Sequence, residues 1–175
     1  ATYADRDLEL SFVDGVLVSR PFVELTLEVM RAFEARASSH GEGLRVRAGH
    51  PYRPRVYRVE PDAQSAVYGF AAAAIAGGRI RVDGIPAQSR QTDLRFLEVL
   101  ASMGCLVKRE PAAVEVRSPA HALRGVEIDM NAMPDAALAL AVVALFAQGP
   151  TTIRNIANLR IKETDRLAAL ETELR

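Results

Sequence analysis

Most features that announce a cofactor, a membrane or a nucleic acid are missing from this chain. One cysteine in 175 residues, Cys105, excludes an intrachain disulfide and fits a reducing compartment. It sits at an apparent strand start, where it can be a small buried hydrophobe or a nucleophile. The 22 Lys and Arg balance 22 Asp and Glu, so the basic excess of a nucleic-acid binder is absent. The three histidines, His40, His50 and His121, have no ligand spacing, and no Walker or dinucleotide glycine loop occurs. No metal and no cofactor is therefore expected. The longest apolar run, residues 132–147, is broken by Pro134 and Asp135, too short to span a bilayer. Residues 1–10 are polar and charged, unlike a signal peptide, so a cytoplasmic protein is expected. The chain begins without methionine and stops inside an expected helix at Arg175, as a piece of a longer protein would.

What is present suits a packed core. Hydrophobic residues make up 49% and charged residues 25%, an ordinary balance. The length allows one domain or two small ones. The chain also repeats itself. Residues 19–30, SRPFVELTLEVM, match residues 89–100, SRQTDLRFLEVL, at an offset of 70. Leu167 and Leu170 fall a further 70 residues beyond Leu97 and Leu100. A fixed period marks stacked supersecondary units.

Each unit reads as an alanine-rich helix (65–76; 135–147), a short β-branched strand (79–82; 151–154) and a second, amphipathic helix (92–103; 163–174). Strands follow at 105–108 and 113–117, and in the first copy at 44–48 and 55–59. The implied unit is βαβαββ, an α/β architecture. The two alanine-rich helices are apolar all round, which predicts burial. A domain boundary is expected at residues 59–62, where Pro51, Pro54 and Pro61 interrupt strand pairing.

The densest charge lies near the C-terminus. Residues 160–166, RIKETDR, hold three cations and two glutamate/aspartate carboxylates, ahead of an apolar stripe at Leu167, Leu170 and Leu174. On a helix starting at Glu163, free N–H groups would meet an anion there. Lys162 and Arg166 would repel at i, i+4, and both cations would oppose the helix dipole. Either a strongly anionic ligand offsets these costs, or the run is a solvated face with Glu163 paired to Arg160 or Arg166.

Three stretches, DMNAMPDAA (129–137), AQGPTTIRNI (147–156) and NLRIKETDRL (158–167), resemble the 5-enolpyruvylshikimate-3-phosphate (EPSP) synthase family of 3-phosphoshikimate 1-carboxyvinyltransferases. Val18 to Met30 and Val59 to Ala66 match upstream family segments, so the resemblance runs through essentially the whole chain. It implies repeated βαβαββ units of the enolpyruvyl transferase, inverse α/β barrel-like fold, here incomplete. Residues 1–59 would be the C-terminal part of one domain and 60–175 the first part of the second. Glu60 and Asp62 would lie at the hinge, where the family pattern has glycine in place of Pro61.

The resemblance implies transfer of the enolpyruvyl group of phosphoenolpyruvate to the 5-hydroxyl of shikimate 3-phosphate. Asp135 is the candidate base for that hydroxyl; its other reading is a helix N-cap. Glu163 resembles the carboxylate that moves a proton at the methylene group. Lys162 resembles a contact near the reacting hydroxyl, and Arg166 a phosphoenolpyruvate-binding arginine. Asn158 looks like a substrate hydroxyl contact or a turn residue. Ser19 resembles a substrate-phosphate contact. Phe22 falls near the substrate ring in the family, or in the core as the start of an amphipathic helix. Asp62 is a cleft residue or a second cap.

The implied partners are two small molecules, with no nucleic acid and no membrane, and with self-association plausible through exposed apolar edges. Two alternatives stand beside this reading: a fragment of the related UDP-N-acetylglucosamine enolpyruvyl transferase, or a non-catalytic domain that binds an anion or a partner. The isolated chain is expected to be inactive, because groups from both domains would build the cleft.

Overall fold

A strand, a helix and two further strands occur twice, and each copy closes into the same small sheet. The computed structural model describes residues 2–12, 17, 20–41 and 43–175. They form two compact units, residues 1–59 and residues 60–175.

The first unit contains β1 (Leu8–Ser11), α1 (Arg20–Ala32), β2 (Ala37–His40) and β3 (Gly43–Val46). Its sheet order is β1-β3-β2, with both pairings antiparallel. Val23, Leu27 and Met30 recur at helical spacing along α1 and pack on Ala37, Leu44 and Val46. Pro21 lies in the first turn of α1, where its missing N–H costs nothing. A Cβ on Gly43 would stand 2.1 Å from the Leu10 carbonyl oxygen, so glycine is required at that approach.

The expected strand at 55–59 does not form. Residues 51–60 carry no helix or strand, and Val56 and Val59 are 98% and 78% exposed. Pro51 and Pro54 withhold two N–H groups from any ladder. The segment is instead tied to the end of α1: Arg55 Nη1 donates to the Ala32 carbonyl at 2.6 Å, and Tyr57 tilts against Phe33 at 5.3 Å.

The second unit begins with α2 (Ala63–Ala76) and β4 (Arg79–Asp83). A 3-10 turn over Thr92–Arg95 leads into α3 (Phe96–Ser102), then β5 (Leu106–Glu110) and β6 (Ala113–Arg117). The sheet order is β4-β6-β5, antiparallel throughout, which repeats that of the first unit. Next come β7 (Leu123–Arg124), β8 (Glu127–Asp129), α4 (Ala136–Ala144), β9 (Ala147–Gln148) and β10 (Thr152–Arg154). A 3-10 turn over Ala157–Ile161 and α5 (Arg166–Glu173) close the chain. β10 pairs parallel with β8 and β9 with β7, so α4 is a crossover helix between parallel strands.

Phe70, Phe96, Leu97, Leu100, Met130 and Leu140 are at most 1% exposed and knit α2, α3 and α4 into one core. Each such side chain contributes about 1.5–3 kcal/mol. α2 and α4 pack on each other, but neither is buried all round: Tyr68 is 53% exposed and Val142 39%. An apolar recess of about 670 Å³ opens between α2, α4 and α5. Cys105 is buried, which pushes its thiol up to about 11 and makes it a core hydrophobe rather than a nucleophile. Among the described residues, no helix is long and apolar enough to cross a membrane.

Candidate active site

The parallel pair β8 and β10 ends in two loops stapled side by side. Asp129 accepts the Asn131 backbone N–H at 2.8 Å and the Asn155 side-chain amide at 2.6 Å. Asn131 in turn donates its amide to the Asn155 carbonyl at 3.2 Å. Asn155 sits at φ 59, a left-handed conformation that asparagine tolerates better than most residues. The Asn131 N–H, followed by the Asn155 amide, holds the Asp129 carboxyl below its ordinary range. From these loops the chain enters α4 and the turn before α5, and both of those ends carry candidate site residues.

Asp135 precedes α4 but does not cap it. Its backbone is already helical, at φ −66 and ψ −30, and its side chain makes no capping bond. The first amides of the helix are satisfied otherwise: Ala136 donates to the Met133 carbonyl at 3.2 Å and Ala137 to that of Pro134 at 3.0 Å. The carboxylate is therefore available, although only 14% exposed. Its Oδ1 receives Arg166 Nη1 at 2.7 Å and has Lys162 Nζ at 3.6 Å. Oδ2 has no hydrogen-bond partner among the described residues.

The helix carrying the charge run starts later than its apolar stripe predicts. α5 begins at Arg166, with Asp165 as N-cap accepting the N–H groups of Leu167 and Ala168 at 3.1 and 3.0 Å. Lys162 lies outside any helix, extended at φ −77 and ψ −161. Lys162 and Arg166 are therefore not i, i+4 neighbours on one helix, yet both approach Asp135 Oδ1, whose charge offsets their repulsion. Of the stripe, Leu167 and Leu170 are half-buried and Leu174 is exposed, and no residue of α5 is fully buried. Asp165 also accepts Arg160 Nη1 at 3.0 Å. The signal for Asp165 was present in the sequence: an aspartate just before an apolar helical stripe is a common N-cap.

Arg166 is the hub. Besides Asp135 it meets Glu163, through Nε at 2.9 Å and Nη2 at 2.7 Å. Glu163 is exposed, and its carboxyl is held low first by its own backbone N–H and then by Arg166. The structure thus brings Asp135, Lys162, Glu163 and Arg166 together. Asn158 lies in the adjoining 3-10 turn, with a buried Oδ1 that accepts no hydrogen bond.

The other candidates lie elsewhere. Asp62 is a helix cap: it accepts the N–H groups of Gln64 and Ser65, both at 3.1 Å, and the Ser65 hydroxyl first among its partners holds its carboxyl low. Glu60 accepts Ser89 Oγ at 2.6 Å and Gln91 Nε2 at 2.9 Å. Phe22 is in the first turn of α1 and is 37% exposed, so it is not a core residue. Ser19 lies outside the described residues.

Sequence reasoning missed Asp93. It is 4% exposed, its Oδ1 has no partner, and burial first, then Asp135 and Asp62, raises its carboxyl above the ordinary range. Only a folded position, not a motif, reveals such a group. Among the described residues, no set of three His, Cys, Asp or Glu side chains could hold a metal.

Two solved enolpyruvyl transferases share the fold. EPSP synthase from Acinetobacter baumannii superposes with a TM-score of 0.72 at 22% identity, over 98% of this chain and 39% of that one. The enolpyruvyl transferase NikO from Streptomyces tendae gives 0.69 at 22% identity, over 87% of this chain and 36% of that one. The sequence profile described as EPSP synthase (3-phosphoshikimate 1-carboxyvinyltransferase) matches residues 1–175. The chain belongs to that family. A 3-phosphoshikimate 1-carboxyvinyltransferase from Marinomonas sp. (strain MWYL1) is 46% identical over 177 aligned residues, all of this chain and 41% of the relative. One from Edwardsiella ictaluri (strain 93-146) is 50% identical over 92% of this chain and 38% of its own length. The chain thus spans about two fifths of the curated relatives it matches.

Proposed function

We propose that the chain is part of a cytoplasmic transferase that moves the enolpyruvyl group of phosphoenolpyruvate to the 5-hydroxyl of shikimate 3-phosphate. Asp135 takes the hydroxyl proton as the oxygen attacks the enol carbon. Glu163 delivers a proton to the methylene carbon, and phosphate then leaves as that proton is withdrawn. Lys162 and Arg166 hold substrate anions, and Asn158 contacts a substrate hydroxyl. Ser19 and Phe22 serve the phosphate and ring of the same substrate from the preceding domain. Residues 1–59 are the end of that domain and residues 60–175 the start of the next, with the hinge at 59–62.

One observation carries the reading. Arg166 Nη1 stands 2.7 Å from Asp135 Oδ1, although 31 residues separate them. A base and two cations therefore share one half-buried spot, as proton and group transfer between anionic substrates requires. The hinge assignment draws support from Glu60 and Asp62, whose side chains both bond within the second unit.

Isothermal titration of the chain tests the proposal. Shikimate 3-phosphate should give saturable heat, and neither phosphoenolpyruvate alone nor UDP-N-acetylglucosamine should. Heat from the nucleotide sugar in place of shikimate 3-phosphate would overturn it. Turnover should be absent, because the cleft needs groups the chain does not carry. Steady-state formation of the enolpyruvyl product by the isolated chain would contradict that part.

A further inference from the structure

The two repeated sheets share one strand order, so their charges can be compared position by position. On β4-β6-β5 each cation has a carboxylate: Arg81 meets Asp83 and Glu110 at 2.8 Å, and Lys108 meets Glu110 at 2.6 Å. Arg79 and Arg117 each meet Glu115 at 3.6 Å. The first unit departs from this. Arg45 meets Asp7 at 3.2 Å and Glu9 at 3.4 Å, and Arg47 meets Asp7 at 3.7 Å. The Arg36 side chain makes no ion pair among the described residues. Arg31 donates Nη1 to a backbone carbonyl, that of Ala37, at 3.2 Å.

These side chains converge. Arg31, Arg36, Ser38, His40, Arg45 and Arg47 line a recess of about 480 Å³ beside β2, with Glu34 the one carboxylate in its wall among the described residues. Arg45 Nε is buried and makes no hydrogen bond, its nearest carboxylate oxygen being that of Glu9 at 3.4 Å. A chain with no net charge thus concentrates four guanidiniums on one concavity. Concave, low-dielectric walls focus such a field, and each guanidinium fork matches a phosphate or carboxylate edge.

We propose that this recess is a second anion site, which binds a small polyanion carrying phosphate or carboxylate groups. Arg36 and Arg31, which have no carboxylate partner among the described residues, supply the binding charge, while Asp7 keeps Arg45 and Arg47 in place from outside the wall. The Asp7 carboxyl is itself held low, first by the Ala48 N–H, which donates to it at 3.0 Å, and then by the two arginines. This site lies wholly in the first unit and does not rest on the transferase reading.

The test is a two-dimensional amide NMR titration of the full chain with inorganic pyrophosphate at low salt. Amides of residues 36–38 and 45–47 should shift saturably, with a dissociation constant on the order of 1 mM or below. Arg36→Gln and Arg31→Gln should each weaken binding about tenfold, with their own spectra confirming the fold. Added salt should weaken it further. The proposal is overturned by no saturable shift, by shifts unchanged in both variants, or by shifts confined to residues 135 and 162–166.

Discussion

The bond between Asp135 and Arg166 can be weighed by a double-mutant cycle. The pair lies 2.7 Å apart with side chains 14% and 22% exposed, so water screens it only partly. Arg166→Leu leaves a half-buried carboxylate facing Lys162 at 3.6 Å. Asp135→Asn leaves Arg166 still bonded to Glu163, an exposed partner. The two costs should therefore differ: about 2–3 kcal/mol for the arginine and about 1 kcal/mol for the aspartate. The coupling between them should be about 1–2 kcal/mol. Urea unfolding measures all four corners, followed by far-ultraviolet circular dichroism because the chain has no tryptophan. Equal slopes across the four proteins are required for the comparison. A coupling below about 0.3 kcal/mol, the level of independent sites, would refute the claim that these groups form one unit.

Further outcomes follow from groups whose titration the fold displaces. Asp62 is held low by Ser65, so its contribution is present above the unfolded pKa of about 3.9 and fades as pH falls through the folded value. Asp62→Ala should cost about 1 kcal/mol at pH 7 in urea unfolding and much less near pH 2.5; equal costs at both would refute the cap. Asp93 is displaced upward, so its contribution is full below about pH 3.9 and is lost as pH rises through the folded value. Asp93→Asn should therefore stabilise by about 1–3 kcal/mol at pH 8 and not at pH 3.5, and a loss of stability at pH 8 would refute the ionised carboxylate as a net cost to the fold. The Cys105 thiol, pushed up to about 11, should react with a disulfide reagent at pH 8 at least roughly 100-fold slower than in urea, and an immediate burst would place it at the surface.

Periodicity made the repeat legible, because a 70-residue offset survives in apolar and turn positions that any copy of the unit must keep. The positions of β4, β5, β6, α2 and α3 were readable on those grounds. The strand at 55–59 was not, since β-branched residues and alternation describe a strand only where a neighbour supplies the ladder. The start of α5 was misplaced for a related reason. Charge density marked residues 160–166, but the cap that sets the helix register is one aspartate among them. Of the site, Asp135, Lys162, Glu163 and Arg166 could be named from motif resemblance. Their meeting could not be read from spacing, because it depends on how β8 and β10 bring two loops together through Asp129 and Asn155. Asp93 was illegible because its chemistry comes from burial and from the folded proximity of Asp135 and Asp62, neither of which a motif records.

The geometry at Asp135 separates two duties that a single carboxylate could be asked to perform. Both cations approach the same oxygen, Oδ1, Arg166 at 2.7 Å and Lys162 at 3.6 Å. Oδ2 is left without a hydrogen bond among the described residues. A carboxylate fixed through one oxygen presents the other in a set direction, which is what a positioned base needs. On the proposed roles, Arg166 and Lys162 therefore aim Asp135 as well as bind substrate anions. Arg166 also spends Nε and Nη2 on Glu163, so the arginine that orients one proton-transfer group orients the other. Replacing Arg166 by lysine keeps the charge but loses the fork. It should then damage turnover in the complete enzyme far more than substrate affinity, because a point charge can hold an anion but cannot aim two carboxylates at once.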